Sequence, residues 1–127
     1  MPPAALAALQ ISALATGLAD KAVSLVYERA LHREKSDIWI ARCRTQIAAV
    51  LDRLEADRAG CPSAFWFGDT IGHANIAAAC AIRFTRDAHP ALFGERRWPA
   101  LIAHAERCEA LPVFCRIVQP FSPPGDY

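Results

Sequence analysis

The sequence predicts an all-α protein, a helical bundle of about five helices. Apolar residues recur at helical spacing along several long segments, and no segment reads as a convincing strand. N-capping residues and prolines suited to a first turn stand at the starts of these segments. With 127 residues, 54% of them hydrophobic, we expect one core and therefore one domain over residues 1–127.

The first two helices cover the first half of the chain. We predict the first helix from about Pro3 to Leu31, followed by a short charged linker. Ser36 is a good N-cap for the second helix, from about Asp37 to Arg58. The apolar residues of this second helix form one stripe at helical spacing: Trp39, Ile40, Cys43, Ile47, Val50, Leu51 and Leu54.

Three shorter helices are predicted in the second half. Residues 59–70 form a loop, and the third helix runs from about His73 to Ala88. The fourth begins with Pro99 in its first turn and ends near Glu109. A short fifth helix runs from Pro112 to about Val118. Residues 119–127 are expected to form an extended tail on the surface.

The start of the third helix carries a folding signal. Gly72 is a tolerated N-cap, with Ile71 before it and Ile76 at the fourth helical position, which is the spacing of a hydrophobic staple. Asn75 stands at the third position, where it can accept a backbone hydrogen bond. An alternative register places Thr70 at the cap, but only the Gly72 register pairs the two isoleucines.

The third helix carries almost no charge, and every residue from Ile76 to Ile82 is apolar. We therefore expect it to be the central pillar of the domain, wrapped by other helices. The segment FWFGDTIGHANIAAACAIRF, residues 65–84, resembles the buried sixth helix of glutathione S-transferases. In that family a Ser/Thr-x-x-Asp capping box and a staple open this helix. Gly72 and Asn75 replace the capping pair, at an expected cost of about 1 kcal/mol.

The resemblance covers nearly the whole chain, roughly residues 4–123. Residues 17–35 look like the family's long fourth helix, residues 39–56 like the fifth, and residues 97–114 like the closing helices. No part of this sequence resembles the thioredoxin-like domain that precedes these helices in the family. The resemblance therefore implies a C-terminal all-helical domain, with the glutathione-binding half absent from this sequence.

One face of the first helix is the candidate functional surface. It carries small and polar residues at steps of three and four: Ala13, Gly17, Asp20, Ser24 and Tyr27. By resemblance, Ala13, Gly17 and Asp20 would lie in a dimer interface, while Ser24 and Tyr27 would bind the hydrophobic substrate. In the alternative interpretation, Asp20 and Ser24 are solvated and Tyr27 covers an edge of the core.

Metal binding and an independent catalytic centre are not expected. His104 and Cys108 lie one helical turn apart and Cys115 follows, but structural zinc needs a fourth ligand that the spacing does not supply. Cys43 and Cys80 lie in apolar helical stretches, where inert core thiols are expected. No Ser-His-Asp order, carboxylate pair or phosphate-binding glycine loop indicates a catalytic residue.

Composition limits the partners and the compartment. The net charge of +1 gives no reason to expect nucleic acid or an anionic membrane. The alanine-rich start lacks a basic n-region and is too polar for a confident membrane span, so an amphipathic helix is expected. Five cysteines without a CxxC motif favour a reducing, cytoplasmic location.

Two functions follow from these observations. The resemblance implies the acceptor-binding and dimerisation domain of a glutathione S-transferase, in which glutathione is the co-substrate of the parent protein and a hydrophobic electrophile is the second substrate. Such a chain would form a homodimer or associate weakly, and it would have little activity alone. The alternative is a free-standing helical protein-interaction module of the same fold.

Overall fold

A computed structural model describes residues 3–94, 97–125 and 127, and five α-helices dominate this part of the chain. They are α1 (Pro3–Ala30), α2 (Asp37–Ala59), α3 (His73–Ala88), α4 (Pro99–Glu109) and α5 (Pro112–Arg116), with a single 3₁₀ turn at Pro90–Leu92. The described residues contain one isolated bridge, Phe65 to Gly68, and no strand. The all-α prediction is confirmed.

The predicted helix boundaries differ little from the observed ones. Ser36 caps α2, since its hydroxyl accepts a hydrogen bond from the Trp39 N–H at 3.2 Å. The short α5 ends two residues before the predicted position, at Arg116. Ile117 and Val118 remain largely exposed, so no packing stabilises a further turn there.

The core lies between α1, α2, α3 and α4. Helix α3 packs against both α1 and α4, and α2 closes the remaining side against α1 and α4. Large side chains from all four helices fill the centre, together with alanines of α3: Leu18, Leu25, Ile47, Leu51, Leu54, Ile82, Leu101, Ala74 and Ala78. Small residues on α3 allow the neighbouring helices to approach closely, so α3 occupies the middle of the bundle.

Helix α3 is nevertheless not enclosed on all sides, which corrects the expectation of a fully wrapped pillar. Ile76 is 38% exposed, and Cys80 one turn later is exposed too. This open face continues to Arg83 and Phe84, which are half-buried. An apolar stretch therefore faces a surface depression here rather than a neighbouring helix.

Helix α1 is the one described helix that is long and apolar enough to cross a membrane by length and composition. Core helices of soluble proteins pass the same test. In this structure Leu18, Ala22 and Leu25 are completely buried within the bundle. Packing against the neighbouring helices therefore explains why the face of α1 with these three residues is apolar.

Gly72 is the N-cap of α3, as predicted, with extended backbone angles and no side chain to donate to or accept from the helix. A Cβ added to Gly72 would meet no atom within 4 Å. Ile71 packs against a small second cluster formed by Phe65, Ala79 and Cys108. The pairing of Ile71 with Ile76 as a staple stays a prediction.

Asn75 has a different role from the capping one expected. Its amide oxygen accepts a hydrogen bond from the Trp66 N–H at 2.8 Å, and its amide nitrogen donates to the Trp66 carbonyl at 3.0 Å. Asn75 is 1% exposed, and its side chain therefore ties the preceding loop to α3 instead of closing a box with Gly72. An amide, which both donates and accepts, suits this pair of bonds, whereas the expected capping role needed only an acceptor.

The loop before α3 is fixed by further hydrogen bonds around Trp66. The Trp66 indole N–H donates to the Asp57 carboxylate at 2.9 Å, which links the loop to the end of α2. Arg58 donates to the carbonyls of Ser63 and Ala64 at 2.6 and 3.0 Å. The His104 ring, from α4, meets the Trp66 ring edge-on with centroids 4.8 Å apart. Three helices thus converge on one loop.

Helix α4 is capped by a side chain from α2. Trp98 precedes α4 with left-handed backbone angles, and its indole N–H donates to Asp52 at 2.7 Å. Both carboxylate oxygens of Glu55 accept hydrogen bonds from the first turn of α4, from the N–H groups of Ala100 and Leu101 at 2.8 Å each. These bonds satisfy two amides that no residue within α4 can serve.

Asn75→Asp is expected to destabilise the fold by about 2 kcal/mol or more, whereas Gly72→Thr should stabilise it by roughly 0.5–1 kcal/mol. The aspartate would lose the donor to the Trp66 carbonyl and bury a charge, while the threonine would supply the missing cap in open space. Urea midpoints of the two single variants check both signs. A more stable Asn75→Asp variant would contradict the loop-clamping role of the amide.

Candidate functional site

A cavity of about 540 Å³ opens beside the exposed face of α3. Its apolar walls come from four parts of the chain: Val23 and Val26 on α1, Phe84 on α3, Phe114 on α5, and Phe121 beyond α5. The volume is within the range of small-molecule sites, and three of these five side chains are aromatic. The cavity suits a ligand with a flat apolar body.

One edge of the cavity is charged. The Arg83 Nε donates to the Asp87 carboxylate at 2.7 Å, and its Nη1 donates to Glu109 at 3.1 Å. The hydrogen bond and charge of Asp87, helped by Glu109, raise the pKa of Arg83 above its ordinary value. This edge can therefore meet a polar substituent while the walls hold an apolar body.

Of the two residues expected to bind substrate, the structure brings Tyr27 to the cavity and leaves Ser24 outside it. Tyr27 lines the cavity and is 54% exposed. The Ser24 hydroxyl turns back along its own helix and donates to the Asp20 carbonyl at 2.9 Å. A serine within a helix readily makes this bond to the carbonyl four residues earlier, which keeps its hydroxyl away from a ligand.

The three residues expected at a dimer interface lie on the surface of α1. Ala13 and Asp20 are exposed and Gly17 is half-buried. A Cβ added to Gly17 would meet no atom within 4 Å, so the core does not require a glycine there. The face is thus open to solvent in the isolated chain, and its use as an interface stays a prediction.

Residues 119–125 and Tyr127 run along the surface of the bundle, where most of them are exposed and Phe121 is half-buried. They form no regular helix or strand, but the Phe121 ring meets Phe84 edge-on at 5.6 Å between centroids. Phe121 also meets Tyr127 at 5.6 Å. Residue 126 lies outside the described residues. This segment supplies a wall of the cavity.

A buried histidine joins α1 to the end of this segment. The His89 Nε2–H donates to the Ala22 carbonyl at 2.8 Å, which leaves Nδ1 as an acceptor. Nδ1 lies 3.1 Å from Nη1 of Arg29 and 3.0 Å from the Tyr127 hydroxyl. Burial lowers the pKa of His89, and the charges of Arg29 and Arg44 lower it further. Sequence patterns gave no sign of this cluster beyond the position of His89 before Pro90.

Two comparisons identify the family. The family model described as glutathione S-transferase, C-terminal domain, matches residues 37–107. The chain belongs to this family. A crystal structure of a glutathione S-transferase from Methylobacterium radiotolerans, in complex with glutathione sulfonate, is similar at a TM-score of 0.80 and 28% identity over 96% of this chain. This chain spans 57% of that protein's length. A search of curated proteins gave no match.

Two cysteines of this glutathione S-transferase C-terminal domain, Cys80 and Cys108, have raised pKa values. Cys80 lines the cavity, which corrects the expectation of a core thiol, and desolvation together with Glu109 raises the pKa of Cys80. Burial raises the pKa of Cys108 to about 11. Thiols with raised pKa values stay protonated near neutral pH and react slowly. No group of three potential metal ligands occurs among the residues that the structure describes.

Acidification from pH 7.5 to 5.5 is expected to lower the free energy of unfolding. Burial lowers the pKa of both His89 and His104 in the fold, so below about pH 6.5 the unfolded chain takes up protons that the folded chain does not. The contribution of the two histidines to the free energy of unfolding is fully present above that pH. It is lost as the pH falls towards their lowered pKa values in the folded chain, by up to about 1.4 kcal/mol per pH unit for each histidine. Urea midpoints across this range measure the effect.

Two variants, one at a buried histidine and one at an exposed histidine, test whether buried histidines cause the pH dependence. His104→Gln keeps a donor for the Asn75 carbonyl, which His104 contacts at 3.1 Å, but cannot titrate, so it should reduce the pH dependence. His73→Gln, on the exposed first turn of α3, should leave it unchanged. A parent midpoint that stays constant from pH 7.5 to 5.5 would contradict the assignment to buried histidines.

Proposed function

We propose that this chain is the acceptor-binding and dimerisation domain of a glutathione S-transferase-like protein. The observation that carries the proposal is the cavity of about 540 Å³ with aromatic walls, in a chain of this family. The parent reaction would be attack of the glutathione thiolate on a hydrophobic electrophile. Glutathione would be the co-substrate of the parent protein and would be held mainly by a thioredoxin-like domain.

The chemistry of the cavity supports a hydrophobic acceptor with a polar substituent. Phe84, Phe114 and Phe121 offer ring faces and edges for an aromatic body. The Arg83 guanidinium, kept charged by its two carboxylates, lies at the edge where an electron-withdrawing group could be bound. An electrophile activated by nitro or carbonyl groups fits both features.

The same chemistry explains why the chain alone is expected to lack transferase activity. Conjugation requires a group that stabilises the glutathione thiolate. The cavity cysteine, Cys80, has a raised pKa. The charge of Arg83 is balanced by Asp87 and Glu109, so Arg83 can meet a neutral nitro or carbonyl group but offers no net positive charge to a thiolate. The chain would therefore provide the acceptor site, and a partner domain would provide the thiolate.

The test is a binding measurement combined with an activity measurement. The purified chain should bind a fluorescent apolar probe such as 8-anilinonaphthalene-1-sulfonate saturably, and chloronitrobenzene electrophiles should displace that probe. The same sample should not conjugate glutathione to these electrophiles above the uncatalysed rate. Absence of saturable probe binding would contradict the acceptor-binding role, and saturable conjugation would contradict the dependence on a partner domain.

Filling the cavity distinguishes specific from non-specific binding. Val23→Trp would place an indole in the cavity and should weaken probe binding at least about tenfold, which corresponds to about 1.4 kcal/mol. Val113→Trp, on the exposed surface of α5 outside the cavity, is the matched control and should bind like the parent. Equal weakening by both variants would show that the probe does not occupy the cavity.

Dimerisation through α1 is the second part of the proposal. The surface formed by Ala13, Gly17 and Asp20 is open, and Gly17 leaves room for another backbone to approach closely. Gly17→Arg should therefore convert a weakly self-associating chain into a monomer with an unchanged helical spectrum. Sedimentation velocity over a concentration series measures this, with Ala49→Arg on the exposed side of α2 as the control. A parent chain that is monomeric at high concentration would overturn the interface.

The interaction-module alternative is favoured by a different surface. Ile38 is 85% exposed and Trp39 is 39% exposed at the first turn of α2, where a partner protein or a further domain could cover them. Both functions are compatible with a cytoplasmic protein, because all five cysteines are free. Failure of the apolar probe to bind, together with pull-down that depends on Trp39, would favour the module.

A further inference from the structure

We propose that the segment formed by residues 119–125 and Tyr127 is a strap across the cavity, and that Tyr127 positions Phe121 as the wall that selects flat aromatic ligands. The selectivity part of this inference rests on the proposed acceptor-binding function. The strap itself does not, because it follows from contacts within the chain.

The strap completes the cavity rather than lying beside it. Phe121, Ser122 and Pro124 all line the cavity, together with Phe84 of α3. The Phe121 ring meets the Phe84 ring nearly perpendicularly, at 89° and 5.6 Å between centroids. The two rings contact each other and form one continuous aromatic wall, so an aromatic ligand in the cavity can meet the face of one ring and the edge of the other. Without the strap, the cavity would lose the part of its lining that these three residues supply.

The strap has a single strong anchor among its described residues. The Tyr127 hydroxyl accepts a hydrogen bond from Arg29 Nη1 at 2.9 Å and donates to His89 Nδ1 at 3.0 Å. The Arg29 guanidinium also lies over the Tyr127 ring, 4.2 Å from its centroid. Both partners belong to the bundle, since His89 in turn donates to the Ala22 carbonyl of α1. Tyr127 is therefore fixed to the bundle by polar bonds that an apolar tail would not make.

Tyr127 acts on the ligand only through its neighbour. It does not line the cavity, but its ring contacts Phe121 at 5.6 Å between centroids. The described residues of the strap form no helix or strand that would hold the backbone. The orientation of the Phe121 ring therefore depends on its contacts with the rings of Phe84 and Tyr127. Tyr127 is thus a positioning residue, and Phe121 is the selecting one.

The position of the strap can be measured without any ligand. Phenylalanines labelled with 4-fluorophenylalanine give ¹⁹F signals, and loss of one signal in Phe121→Leu assigns Phe121. In the parent this signal should be displaced from that of free fluorophenylalanine by the Phe84 and Tyr127 rings. Tyr127→Phe keeps the ring but removes both hydrogen bonds, and should move the signal towards the free value. Thr45→Val, which removes an exposed hydroxyl on α2 outside the cavity, is the control and should leave the signal in place. An unmoved signal in Tyr127→Phe would overturn the strap.

Selectivity is measured with two ligands of one carbon skeleton, 2-naphthol and decahydro-2-naphthol, as competitors of the fluorescent probe. Phe121→Leu removes one aromatic contact with the ligand, and Tyr127→Phe releases the same ring from its position. Each should weaken 2-naphthol binding about fivefold and should change decahydro-2-naphthol binding less than twofold. Phe67→Leu, an exposed phenylalanine outside the cavity, is the matched control and should change neither.

The outcomes separate the two proposals. If the variants weaken the binding of both ligands equally, Phe121 does not distinguish the aromatic ligand from the saturated one, which overturns its selecting role. If the parent binds neither ligand, the acceptor-binding function and the selectivity fail together. The ¹⁹F displacement in Tyr127→Phe then still decides whether the strap exists.

Discussion

The arrangement of the bundle depends on the burial of Trp66 in the loop between α2 and α3. Its indole is 1% exposed, and both of its backbone polar groups pair with the Asn75 amide. Its ring also meets His104 from α4 and its N–H reaches Asp57 at the end of α2. A buried backbone N–H or carbonyl without a partner is costly, so Asn75 is as important to this loop as the indole itself. The loop therefore sets where α3 begins and in which direction it leaves.

The path of α3 in turn creates the cavity. Its small residues pack against α1 and α4, which leaves the opposite face, with Cys80, Arg83 and Phe84, without a covering helix. The short α5 and the segment after it close that face only partly. The cavity is thus a consequence of packing the small residues on one side of α3 against neighbouring helices, which leaves the side with Phe84 open.

Much of the fold could be predicted because its signals are local. Helical spacing of apolar residues, the Ser36 cap and Pro99 in a first turn each act within a few residues, and all three lie where the pattern indicated. The sequence did not indicate the partner of Asn75, the buried position of His89 or the return of Phe121 to the bundle. These depend on residues 9, 67 and 37 positions away along the chain, at distances where local patterns carry no information. Tyr27 follows the helical repeat and lines the cavity, and the role in substrate binding that the resemblance implied for it stays a prediction. Ser24 follows the same repeat, but its hydroxyl had a nearer acceptor on its own helix.

The capping of α4 by Glu55 has a consequence for how the bundle opens. Amides in the first turn of a helix ordinarily exchange with solvent when that turn frays, without any disturbance elsewhere. Here the Ala100 and Leu101 amides are bonded to a carboxylate that belongs to α2, 45 and 46 residues earlier. The end of α4 can fray only if α2 moves away or Glu55 releases it. Local opening at this helix end is therefore coupled to a residue of α2, and exchange of these two amides would report release of the Glu55 carboxylate as well as separation of the two helices.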